Sequence, residues 1–138
     1  MKKLGMILLV DDDPINNFIN ERLLKKCGIA EKVQVTHNGQ EALDIIQQQL
    51  NSDKASCPEF IILDNHMPVM DGIKFLEHFN RLNIINRDEV IILALLASSS
   101  EADVQKFRSL GVDEISYKPL SEDMLEEICL RYWALPMR

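Results

Sequence analysis

With 138 residues, 46% of them hydrophobic and 27% charged, the chain is long enough to bury one core without disulfide or metal staples, and a single domain over residues 1–138 is expected. A net charge of -7 argues against a nonspecific nucleic-acid binder, because an acidic surface repels a phosphate backbone. Cys27, Cys57 and Cys129 are odd in number, widely spaced and without a CxxC pair, which implies neither a disulfide framework nor a zinc site and fits reduced cytosolic thiols.

Met6 to Val10 reads as an apolar strand running into Asp11, Asp12 and Asp13. These cut the opening from Met1 far short of a signal peptide or membrane span, so a cytoplasmic protein with no membrane partner is expected. Asp13-Pro14 looks like an N-cap with proline at the first helical position. Ile15, Phe18, Ile19 and Leu23 then form an apolar stripe at helical spacing, ended by Gly28. Val33 and Val35 flank Gln34 in a second strand. Asn38 with Glu41 predicts a capping box for a helix whose apolar face is Ala42, Ile45, Ile46 and Leu50, and Asn51 to Pro58 reads as a loop.

Phe60 to Leu63 is an apolar run without polar alternation, as expected for a strand covered on both faces of a parallel sheet. Asp64 ends it. Pro68 and Gly72 punctuate the loop before a helix carrying Phe75, Leu76 and Phe79. Val90 to Leu95 is another unbroken strand, and Ser98, Ser99 and Ser100 lead into a helix marked by Val104, Phe107 and Leu110 that stops at Gly111. Ser98 with Glu101 has the form of a capping box. Val112 to Tyr117 is the last strand, Lys118-Pro119 its exit turn, and Met124, Leu125, Ile128 and Tyr132 mark the final helix.

Five strands alternating with five helices through short connections predict a three-layer, doubly wound parallel α/β sheet of flavodoxin-like order 2-1-3-4-5. Asp11 and Asp12 then follow the first strand, Asp64 the third and Lys118 the fifth, all at one sheet edge. Carboxylates brought together raise a pKa or hold a cation, and a hard divalent ion such as magnesium suits oxygen ligands. Such an ion keeps positions for phosphate oxygens, and a lysine opposite supplies further positive charge, which describes a phosphoryl site. Asp13 reads instead as a helix cap. Met67 and Met70 read as packing, the cysteines as small core residues, and His37 and His78 as surface or half-buried residues without a partner pattern. Trp133 either packs the last helix or marks a partner surface.

The motifs LLVDDD at Leu8 to Asp13, ILDNHMPVMDG at Ile62 to Gly72 and LGVDEISYKPL at Leu110 to Leu120 occur in this order. In them the chain resembles, over essentially its whole length, the receiver domain of bacterial response regulators. The resemblance implies that Asp64 accepts a phosphoryl group from a phosphohistidine on a sensor histidine kinase or histidine phosphotransfer protein. It further implies that Asp11, Asp12, Asp64 and the His66 backbone carbonyl hold Mg2+, that Lys118 pairs with the phosphoryl group, and that Pro119 follows a cis peptide bond. The protein is then no conventional enzyme, but a phosphoacceptor that takes part in its own phosphorylation and slow dephosphorylation.

With no effector domain after residue 138, a stand-alone receiver is expected, acting by contact with a downstream protein or by onward transfer. The last two helices and the strand between them are the usual dimer or partner face in similar proteins, so a homodimer is among the implied assemblies. Two positions depart from the family. Counting back without gaps from Gly111 and Lys118 puts Leu96 where a threonine or serine is usual, and Ile115 where the switch aromatic is usual, with Tyr117 two positions away. Ser98 is the loop hydroxyl nearest in sequence. These departures motivate an alternative, a receiver-fold binding module that works independently of phosphorylation. An aspartyl-phosphate hydrolase of the haloacid dehalogenase kind would need an aspartate where His66 stands.

Overall fold

In the computed structural model, residues 3–52, 57–82, 87–98 and 100–135 are described. Met1, the middle of the Asn51 to Pro58 segment and Ser99 lie outside them. Five parallel strands, β1 (Leu4–Val10), β2 (Ala30–Thr36), β3 (Phe60–Leu63), β4 (Ile91–Leu96) and β5 (Glu114–Tyr117), form one sheet in the order β2-β1-β3-β4-β5. Helices α1 (Pro14–Cys27), α2 (Gly39–Ser52), α3 (Gly72–Phe79), α4 (Glu101–Ser109) and α5 (Glu122–Trp133) alternate with them, and a short 3-10 turn at Arg87–Glu89 precedes β4. The flavodoxin-like α/β fold expected from the alternation is the one observed.

Successive side chains of a strand point to opposite faces, and both faces are covered here. Leu8, Val10, Ile61, Leu63, Ile92, Ala94 and Leu96 pack with residues of α2, α3 and α4, Phe107 among them. Ile7, Leu9, Phe60, Ile62, Leu93 and Leu95 pack on the other side with α1 and α5 through Leu24, Cys27, Leu125, Ile128 and Cys129. Each such Leu, Ile or Phe contributes about 1.5–3 kcal/mol on burial, which keeps the wholly apolar β3 in the middle of the sheet. Trp133 packs, its ring centroid 5.2 Å from that of Phe60, and Cys27 and Cys129 are free thiols within the core. Among the described residues no helix is long and apolar enough to cross a membrane.

Several local expectations are corrected. Of the stripe Ile15, Phe18, Ile19 and Leu23, the first three face outward, with relative exposures of 67%, 60% and 55%, while Leu23 packs half-buried against the core, and the buried face of α1 is Asn17, Asn20, Leu24 and Cys27. The phase is set at the helix start, where Asp13 accepts from the N–H of Ile15 at 2.9 Å and Asn17 is bonded to the end of β1. Gly28 closes α1 in the left-handed conformation, as expected. The cap of α4 is Ser100, whose Oγ accepts from the Asp103 N–H at 3.1 Å, not Ser98, which is exposed two residues earlier. Asn38 does accept from the Glu41 N–H at 2.9 Å, but the Glu41 carboxylate reaches back to the N–H of His37 instead of closing the box on Asn38. The last strand begins at Glu114, not Val112, because the Asp113 side chain takes the N–H of Ile92 at 2.8 Å in place of a ladder carbonyl. The expected loop after the second helix starts late, since α2 continues to Ser52.

Candidate functional site

The register carries the polar residues to one edge. Val10 pairs with Leu63 and Leu63 with Ala94, so Asp11 and Asp64 leave the sheet side by side. The Asp64 N–H donates to the Val10 carbonyl at 2.9 Å, the Asp11 N–H to Thr36 at 3.1 Å, and the Lys118 N–H to Leu96 at 2.7 Å. The three side chains thus project from a backbone still tied into the sheet, which fixes their directions better than a free loop does.

Oxygens of Asp11, Asp12 and Asp64 lie within 4.8 Å of one another, the first and last residue buried and Asp12 exposed. Lys118 Nζ sits 2.9 Å from Asp11 Oδ2 and 3.3 Å from Asp64 Oδ1. Burial, and then the Asp11 carboxylate, push the Asp64 pKa above the ordinary carboxyl value, against the opposing pull of Lys118 and the Asn65 N–H. Burial pulls the Lys118 ammonium down, but its bond to Asp11 and the charges of Asp64 and Asp11 more than offset this, so its pKa is raised. One ammonium shared between close carboxylates leaves them undercompensated. Three carboxylate oxygen donors at this spacing suit a small hard cation, and the cluster contains no Cys or His ligand among the described residues.

The loop after β3 is anchored at both ends. Asp71 caps α3 by accepting from the Lys74 N–H at 2.9 Å, and the Gly72 N–H donates to the Asn65 carbonyl at 2.9 Å. A Cβ on Gly72 would run into the Asp64 carbonyl oxygen, so only glycine lets α3 start this close to the site. At the other end the Gly39 N–H donates to the Met70 carbonyl at 2.9 Å, and Met67 is buried in the core as expected of a packing residue. Between these anchors Val69 is 83% exposed with φ 68, a backbone conformation that a β-branched residue rarely takes. His66 is exposed on the same loop. The Lys118–Pro119 peptide is cis.

Leu96, at the hydroxyl position expected from the family, is buried to 1% within the core under α2 to α4, and Ile115 packs against the same cluster while Tyr117 is half exposed. Two features escaped the reading of the sequence. Asn17 is buried, and its Nδ2 donates to the backbone carbonyl of Asp11 at 2.7 Å. The outward apolar residues of α1 start one turn from the acidic cluster. The available signal was a second helical stripe, Asn17, Asn20, Leu24 and Cys27, interleaved with the apolar one.

A doubly wound sheet with acidic side chains and a lysine converging at the carboxyl ends of its strands defines a domain built to accept phosphoryl groups. The profile of the response regulator receiver domain matches residues 7–129, and the chain belongs to that family. It is 28% identical over 131 residues to a two-component response regulator of Oryza sativa subsp. japonica, covering 95% of this chain and 96% of that one. It is also 30% identical to hybrid signal transduction histidine kinase B of Dictyostelium discoideum, over 95% of this chain but only 7% of the kinase. A two-component response regulator structure from Cytophaga hutchinsonii superposes with a TM-score of 0.85 at 24% identity, covering 97% of this chain and 100% of the other. The receiver domain of a sensor histidine kinase of Pseudomonas aeruginosa PAO1, with a magnesium ion coordinated in its active site cleft, gives a TM-score of 0.77 at 25% identity, covering 97% of this chain and 100% of that one.

Proposed function

We propose that Asp64 is the phosphoacceptor of this receiver domain and that Asp11, Asp12, Asp64 and the His66 carbonyl hold Mg2+. The observation that carries the reading is the Asp64 carboxylate within 4.8 Å of oxygens of Asp11 and Asp12, with Lys118 Nζ bridging Asp64 at 3.3 Å and Asp11 at 2.9 Å. An Asp64 oxygen attacks the phosphorus of a phosphohistidine; the P–O bond forms as the P–N bond breaks, and the imidazole leaves with the electron pair and takes up a proton. Lys118 shifts from bridging the carboxylates to pairing with the transferred group, so the negative charge that arrives meets an ammonium already in place. A cation held by Asp11, Asp12 and Asp64 would supply positive charge that offsets the repulsion between carboxylate and phosphate. Slow hydrolysis of the aspartyl phosphate then resets the domain.

The donor is a histidine kinase or histidine phosphotransfer protein, and its imidazole has to reach a buried Asp64, so the protein bearing it covers the pocket rim. Exposed Ile15, Phe18 and Ile19, which follow directly on the acidic residues, supply an apolar surface there, with the Arg22 guanidinium 5.6 Å from the Phe18 ring centroid. Output passes through a downstream protein or an onward transfer, and the buried free thiols of Cys27 and Cys129 are consistent with a cytoplasmic setting.

Incubation with Mg2+ and acetyl phosphate, followed by intact mass measurement, tests the assignment. A gain of one phosphoryl group, lost in Asp64→Asn, is expected; no gain in the wild type, or an undiminished gain in the variant, refutes it. A second reading, a binding module indifferent to phosphorylation, is favoured by the buried Leu96 in place of a hydroxyl. Equal partner affinity of phosphorylated and unphosphorylated protein would establish it.

A further inference from the structure

Asp11 is held at every polar atom. Its N–H donates to the Thr36 carbonyl at 3.1 Å, its Oδ1 accepts from the Asp13 N–H at 2.9 Å, and its Oδ2 accepts from Lys118 Nζ at 2.9 Å. Its backbone carbonyl accepts from Asn17 Nδ2 at 2.7 Å, in a buried setting. That carbonyl belongs to the peptide plane joining Asp11 to Asp12. A bond to it therefore fixes the rotation that decides where the Asp12 side chain leaves the backbone.

Asn17 is an unexpected residue for its position. It is 4% exposed, one helical position away from apolar residues that face solvent, and its Oδ1 has no protein partner among the described residues. A buried amide with one unpaired oxygen is less favourable there than a leucine of similar size, unless the donor nitrogen serves the site. Asn20, on the same buried face one turn later, has the same side chain at 8% exposure but lies beyond the hydrogen bond to Asp11. The two asparagines separate burial from contact with the acidic pair.

We infer that Asn17 is a positioning residue for the cation site: by fixing the Asp11–Asp12 peptide it sets both carboxylates at the spacing a divalent ion requires. The inference rests on the reading of the pocket as a Mg2+ site. A hydrogen bond to a group that carries ligands acts as an outer shell does in metalloproteins, where its loss weakens binding without removing a ligand.

The test compares Mg2+ affinity by titration calorimetry, with thermal unfolding of each metal-free protein, for wild type, Asn17→Leu, Asn17→Ala and Asn20→Leu. The expected result is an affinity about tenfold or more weaker in both Asn17 variants and within about twofold of wild type in Asn20→Leu. In metal-free samples the backbone amide resonance of Asp12 should shift in the Asn17 variants and stay in place in Asn20→Leu. Wild-type affinity in the Asn17 variants overturns the inference, as does an equal loss in Asn20→Leu, which makes the effect one of helix packing. Failure of both Asn17 variants to fold while Asn20→Leu folds also overturns it, because the residue then serves the fold. Absence of Mg2+ binding in the wild type removes the underlying reading itself, an outcome distinct from the others.

Discussion

The N–H of Lys118 donates to the carbonyl of Leu96 at 2.7 Å, so the residue that faces Asp64 is tied to a strand end whose side chain has no hydrogen-bonding group. The ammonium can respond to a phosphoryl group, but the Leu96 side chain is packed in the core and offers it no donor. On the proposed assignment of Asp64 as acceptor, the chemistry at the pocket and the relay of its occupancy through β4 are then separable.

Leu96→Thr should create the missing coupling. On addition of beryllofluoride and Mg2+, wild-type amide shifts around β4 and the start of α4 should be smaller than those beside Asp64, and the variant should narrow the gap. The substitution removes apolar volume from a buried site and costs about 1–3 kcal/mol in urea unfolding. Equal shifts at both places in the wild type contradict the prediction.

Asp64→Asn should raise stability at neutral pH in metal-free protein. The folded state raises the Asp64 pKa, by burial first and by Asp11 second, so it holds the proton more tightly than the unfolded chain. Stability is then lost as pH rises from the ordinary carboxyl value through the folded one, and the penalty is complete above it. Removing the charge should return about 0.5–2 kcal/mol at pH 7, with a gain that shrinks as the pH falls toward the ordinary carboxyl range. Urea unfolding across pH checks it; a variant less stable than wild type at pH 7 has the wrong sign.

Phe18→Ala and Ile15→Ala should separate partner docking from chemistry. Transfer from a phosphohistidine protein should slow roughly tenfold or more, the scale of an interface hot spot, while the rate with acetyl phosphate stays within about twofold. Both side chains are exposed, so stability should change by no more than about 0.5 kcal/mol. Parallel losses with both donors would show that the residues act on the pocket and not on the partner.

Val69→Asn should stabilise the fold by about 1 kcal/mol, because asparagine tolerates a positive φ that a β-branched residue resists. The side chain is exposed and little packing is lost. Denaturant unfolding at equal slope measures it, and an unchanged midpoint would mean that the loop relaxes without cost.

The sheet order and the meeting of Asp11, Asp12, Asp64 and Lys118 were legible because strands buried on both faces are unbroken apolar runs, and the residue that ends each run marks the edge. The phase of α1 was not legible. Periodicity identifies stripes but cannot say which one is drawn inward by a single bond such as that from Asn17 to Asp11. The cap of α4 was ambiguous for a related reason: Ser98 and Ser100 each stand three residues before an acidic residue, and only the backbone decides between them. The start of β5 was misplaced because a carboxylate, Asp113, substitutes for a strand carbonyl, a replacement that no strand pattern announces.

Trp133, the only tryptophan in the sequence, packs at a tilt of 56° against Phe60, which opens the strand that Asp64 follows. The indole therefore lies at the far end of β3 from Asp64, separated from it by a strand length of about 13 Å. Its fluorescence should report denaturation faithfully and be nearly silent to pocket occupancy, so optical titration of ligands needs an indole introduced nearer the acidic edge.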